Sequence, residues 1–268
     1  MTPPPPRVLA RRARDGVLDW VRSTPGTHIW LLIIGITSLV IASASEGLEQ
    51  FLLHRNSSNI HELNEHPLPS LLISGFWIEQ PGSFLLYAVM FELVHANVER
   101  WMGSWRWLLT VGAAHVAATL ASQELVLLAI EGHQLPRSMT HVVDIGVSYG
   151  LAAAAGTLTY RLLSPWRYVY LVVLLGFFGV PLVTGATFTD FGHAIALALG
   201  FASWPLTPAA RVEAVLERTP AEHAPDERTP AERAPDGHAT DGHATDGDAT
   251  GVGGGAEGPE PPPGGRQE

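Results

Sequence analysis

Between Thr27 and Trp204 the chain is a succession of six apolar runs, and Arg clusters recur in every second connection. The runs cover about residues 29–44, 83–97, 107–130, 145–163, 168–184 and 191–204. A helix needs roughly 17–25 apolar residues to cross the hydrocarbon core of a bilayer, and most of the runs approach that length. In lipid every backbone polar group must be satisfied internally, which leaves helices or closed barrels as the possible spanning structures. The hydrophobic fraction of 46 % conceals this pattern, because two polar ends dilute a very apolar middle.

The positions of Arg predict the orientation. Arg7, Arg11, Arg12, Arg14 and Arg22 precede the first run, Arg100 and Arg106 follow the second, Arg161 and Arg167 follow the fourth, and Arg211 follows the sixth. The positive-inside rule assigns all of these to the cytoplasm. The expected fold is therefore an all-α, multi-pass protein of the plasma membrane, a six-transmembrane-helix bundle with both termini cytoplasmic. Residues 1–26 form a basic cytoplasmic segment in which residues 8–21 suit a short interfacial helix. Residues 27–204 form the membrane domain. The connection 46–82 carries Glu46, Glu49, Glu62 and Glu65 beside apolar pieces such as Leu71–Ile78, which predicts a folded loop resting on the outer face. The stretch from Val98 to Arg106 reads as a tight cytoplasmic turn. Residues 205–268 nearly repeat a ten-residue unit at 217–226 and 227–236 and end rich in Gly and Pro. So few apolar residues cannot offset the entropy of ordering, so this tail is expected to be disordered.

Composition removes several classes of function. The absence of Cys excludes disulfides, thiolate metal sites and Cys nucleophiles. No basic patch carries interleaved aromatics, so nucleic acid is not an expected partner. Glu92, His95, Glu99 and His115 lie in or near the second and third runs, but no H-E-x-x-H pattern occurs. They read as interhelical hydrogen-bonding groups, and neither a metal nor another cofactor is expected.

Two stretches carry chemistry. Ser148 follows Asp144 by four residues and His193 follows Asp190 by three. With six spans, the fourth and sixth run in the same direction, so both side chains fall about one turn below the outer rim. A Ser hydroxyl becomes a useful nucleophile when a neighbouring base takes its proton, and His has a suitable pKa. Gly146, Gly150, Gly192 and Ala194 would let the two spans approach closely, although Gly146 and Gly150 also form a plain packing motif. Backbone N–H groups at the start of the fourth span could hold an oxyanion. Asp144 and Asp190 are expected to cap their helices.

These stretches resemble the rhomboid family of intramembrane serine proteases over about residues 27–204. Gly146-x-Ser148 is similar to the family's GxSG motif, and His193-x-x-Ala196-x-x-x-Gly200 to its HxxGxxxG final helix. Glu99-x-x-x-Gly103-x-x-Arg106 is similar to the turn after its second helix. Asn56-Ser-Ser-Asn-Ile-His-Glu-Leu-Asn-Glu-His-Pro67 and Ser74-Gly-Phe-Trp77 resemble a divergent bacterial group of rhomboid-like proteins. The resemblance implies Ser148 as nucleophile, His193 as general base and single-span membrane proteins as substrates, cleaved near their outer ends. Tyr149 stands where the family has Gly. Ser83 and Tyr87 fall where it has His and Asn helping the oxyanion hole, and Ala152 where an aromatic often stacks on the catalytic His. The alternative is a non-catalytic rhomboid-like protein that binds transmembrane segments of clients.

Overall fold

The computed structural model describes residues 6–208, and the low-complexity tail from residue 209 onward lies outside the described residues. Helices α1 (Pro6–Ser23) and α2 (Pro25–Ser43) open the chain. Three short helices, α3 (Glu46–Arg55), α4 (Ile60–Glu65) and α5 (Pro67–Ile73), build the first loop. Helix α6 (Phe84–Met90) runs through a π-turn at Phe91–His95 into α7 (Ala96–Met102), followed by α8 (Ser104–Glu131), α9 (Val147–Leu158), α10 (Trp166–Thr184) and α11 (Phe188–Ala202). No strand occurs among the described residues.

Three helices are long and apolar enough to cross a membrane, namely α2, α8 and α10. The surface matches that role. Leu39, Phe177 and Val183 are 69 %, 71 % and 83 % exposed, whereas Glu99, Thr119 and Ser122 are fully buried. Apolar side chains outside and polar ones inside suit a lipid solvent, and interior groups such as Glu99 and Ser122 find hydrogen-bond partners within the bundle.

Glu99 shows how the interior is held. Pro25 at the first position of α2 has no N–H to satisfy. The next two N–H groups, of Gly26 and Thr27, donate to Glu99 Oε1 and Oε2 at 2.8 and 2.7 Å. Thr27 Oγ1 and Ser104 Oγ add bonds of 2.6 Å each. One buried carboxylate thus caps α2 from α7, complements its N-terminal dipole and ties in the start of α8. The expected turn over Val98–Arg106 contracts to Gly103, whose φ of 88° suits only glycine, with helix on both sides. The helix continues to Met102 because Glu99 faces inward to its partners rather than outward into a loop.

Helix α9 lies at the centre, packed against α8, α11 and the π-turn. It is shorter than the apolar run that contains it, because Gly146 caps its start and a 3-10 turn over Thr159–Arg161 ends it. Small residues let it sit there. A Cβ on Gly150 would lie 2.6 Å from the Trp30 ring. One on Gly156 would lie 2.7 Å from the Leu197 carbonyl oxygen, and one on Gly200 2.2 Å from that of Ala153. Helices α9 and α11 therefore meet backbone to backbone.

Candidate active site

Helix α11 begins with a capping box. Thr187 Oγ1 accepts from the Asp190 N–H, and the Asp190 carboxylate accepts from the Thr187 N–H at 2.8 Å. Thr187 is thus the cap and Asp190 the third helical residue that completes the box. His193 follows one turn later. Helix α9 starts at Val147, so Ser148 is its second residue and the N–H groups of that first turn precede any intrahelical bond. Gly146 is small for a structural reason, since a Cβ there would lie 1.8 Å from His115 Cε1. The His115 Nε2 meets the Leu71 carbonyl at 2.8 Å, so α8 and the first loop are joined beneath Gly146.

The close approach of α9 and α11 brings Ser148 Oγ to 2.8 Å from His193 Nε2, both half-buried. This is a hydrogen bond through which a proton can pass from hydroxyl to imidazole. Two rings lie against the imidazole. Tyr149 lies edge-on at 5.2 Å between centroids and Phe178 of α10 at 5.7 Å.

Asp144 does not cap α9, a role taken by Gly146. Its carboxylate is 3 % exposed and is held from three elements. Tyr149 Oη donates to Oδ1 at 3.2 Å, Gln123 Nε2 of α8 donates to Oδ2 at 2.8 Å, and Ser58 Oγ of the first loop reaches Oδ2 at 3.4 Å. Burial pushes the Asp144 carboxyl up to about 6, against the opposing pull of these hydrogen bonds. The loop is fastened through its backbone too, with Ser58 N–H donating to the Asp144 carbonyl at 2.9 Å and Asp144 N–H to Ser57 Oγ at 2.8 Å. The Asn56–Asn59 stretch therefore serves as a staple between the loop and the start of α9.

Ser83 and Tyr87 are not drawn into this network, and neither hydrogen-bonds Ser148 or His193 among the described residues. The Tyr87 ring packs instead with Ile34, Ile78, Phe91 and Val147. Glu92 and His95 act as structural bonds. Trp20 Nε1 of α1 donates to Glu92 at 2.7 Å, and Trp107 Nε1 donates to His95 Nδ1 at 3.0 Å. No group of three or more metal-ligating side chains occurs among the described residues. Sequence reasoning missed Gln123 and the ring contact of Tyr149 with His193. The available signal was Tyr149 itself, a large aromatic where the motif has Gly.

Neither the curated proteins nor the solved structures gave a match to the chain. The model of one protein family, described as rhomboid-like protein, matches residues 19–213, which takes in every helix from the end of α1 to α11. An all-α membrane bundle with that match identifies the chain as a member of the rhomboid-like proteins.

Proposed function

We propose that the chain is an intramembrane serine endopeptidase with Ser148 as nucleophile and His193 as general base. The observation that carries this reading is the 2.8 Å contact between Oγ and Nε2. In the first step Oγ bonds to the scissile carbonyl carbon while its proton passes to Nε2. The carbonyl oxygen takes the negative charge and lies against the N–H of Ser148, at the positive end of α9. Collapse of this intermediate breaks the C–N bond, and the imidazolium returns its proton to the leaving amine. Water then repeats the sequence on the acyl-enzyme, with His193 again accepting the proton.

The substrates are single-span membrane proteins cut near their outer ends. The topology that fits is six spans with both termini cytoplasmic, in the plasma membrane. Helix α6, with Ser83 and Tyr87, flanks substrate access.

A second reading, client binding without cleavage, is favoured by one observation. Among the described residues Ser83 and Tyr87 supply no hydrogen bond beside the dyad, so the oxyanion would depend mainly on backbone donors.

Fluorophosphonate labelling of the purified protein in detergent separates the two. Wild type is run beside Ser148→Ala and His193→Ala, with a melting curve for each. Labelling of wild type that is lost in both variants supports the protease. An unlabelled but folded wild type rejects it in favour of client binding.

A further inference from the structure

A serine nucleophile needs its base held in one orientation, and the usual device is a third polar group on the far imidazole nitrogen. Here that device is absent. Among the described residues the only side-chain hydrogen bond of His193 is the one between Nε2 and Ser148 Oγ. Asp190, one turn earlier, acts on the imidazole only through its charge, its carboxylate being bonded to Thr187, so no hydrogen bond on the far nitrogen opposes a turn about the Cβ–Cγ bond that would carry Nε2 away from Oγ.

The nearer of the two rings set against the imidazole is Tyr149. Its ring plane stands at 72° to the imidazole, an edge-to-face arrangement at 5.2 Å. The tyrosine is itself immobile. It is 1 % exposed and packs with Ala118, Ala152 and Ala196. It fills the slot left by Gly192, where a Cβ would lie 2.6 Å from the phenol ring. Its hydroxyl is tied to Asp144 Oδ1, and Gln123 and Ser58 hold the other carboxylate oxygen so that Asp144 cannot swing away. Phe178 brings a second ring to the imidazole at 5.7 Å.

We propose that Tyr149 is a positioning residue for His193. Together with Phe178, its ring confines the imidazole so that Nε2 stays on Ser148 Oγ, and the Asp144–Gln123–Ser58 anchor keeps the ring in place. The clamp touches no reacting atom and moves no proton. It substitutes rigid aromatic packing for the missing polar orienter, and it extends the framework of the site to the first loop through Ser58. This rests on the dyad reading above.

The test is the rate of fluorophosphonate labelling of the full chain in detergent, resolved into probe affinity and the first-order labelling constant, with a melting temperature for each variant. Loss of orientation lowers the first-order constant and leaves probe affinity unchanged. Tyr149→Leu, which removes the ring, is expected to lower that constant about 30-fold, given that misplacement by an ångström can cost about 100-fold. Tyr149→Phe keeps the ring and loses only the anchor, so it recovers most of the loss and stays within about fivefold of wild type. Phe178→Leu removes the other wall from a half-buried position and lowers the same constant about fivefold. It carries the test if Tyr149→Leu does not fold.

Wild-type labelling constants in both folded leucine variants would overturn the clamp while leaving the dyad intact. So would Tyr149→Phe as slow as Tyr149→Leu, or losses that merely follow the melting temperature or fall on probe affinity. A wild type that does not label rejects the dyad, and the clamp with it.

Discussion

Replacing Gly200 by alanine tests whether helix packing sets the dyad distance. In an open helical position this change stabilises by about 0.5–1 kcal/mol, because alanine loses less backbone entropy. Gly200 is not open. The new Cβ would lie 2.2 Å from the Ala153 carbonyl oxygen and 2.9 Å from its carbon, whereas ordinary contact begins at 3.4 Å. The obstacle is backbone, so no side chain can rotate away, and α9 and α11 must part by about 1.2 Å at that level. Carried as a rigid shift to the other end of the pair, this lengthens the 2.8 Å contact between Ser148 and His193 to about 4.0 Å, beyond hydrogen-bond reach. The fluorophosphonate labelling constant should fall about 100-fold, the effect of an ångström of misplacement on an oriented reaction. Overpacking should cost a further ~1–3 kcal/mol of stability, outweighing the propensity gain. Gly176→Ala is the control, since a Cβ there meets nothing within 4 Å. A folded Gly200→Ala protein that labels at the wild-type rate would refute the argument, as would a Gly176→Ala protein equally impaired.

Three other outcomes follow from named contacts. Glu99→Gln puts an amide donor where two N–H and two hydroxyl donors converge. Thermal melting should show a loss of about 3 kcal/mol, or roughly 6–12 °C. Gly103→Ala meets no atom within 4 Å, so its cost comes from the backbone alone at φ 88°, about 1–3 kcal/mol by the same assay. Asp144 ionises near 6 in the folded protein against the usual 3.8, so its burial favours the protonated form. The stability it contributes is complete below 3.8 and is lost as pH rises through about 6. Asp144→Asn should flatten the dependence of melting temperature on pH between 4 and 6. Unchanged pH dependence would show that Asp144 does not titrate there.

The apolar helices α2, α8 and α10 were legible in the sequence, because the length and composition of an apolar run are local properties. The partners of single polar groups were not. Glu99 reads as one more acid near the inner end of the second run until Pro25 and Gly26, more than seventy residues earlier, arrive against it. Asp144 was expected to cap a helix because it precedes one, yet its carboxylate is claimed by Gln123, Ser58 and Tyr149 from three directions. Ser148 and His193 could be paired from sequence since both lie one turn inside helices expected to run in parallel. That Tyr149 would be the ring beside His193 depends on the slot at Gly192, and such a cross-helix fit leaves no periodic trace.

The Glu99 clasp also sets a mechanical scale. It holds the start of α8 at Ser104, while Ala118 of the same helix packs on Tyr149 beside the dyad. Fourteen residues of helix separate the two levels, a lever arm of about 21 Å. Each degree of rocking about the clasp then sweeps the dyad end through about 0.4 Å. A hydrogen bond of 2.8 Å tolerates roughly that much before it weakens. The bundle needs its fulcrum stiff to within about a degree, and the four donors gathered on one carboxylate supply that stiffness.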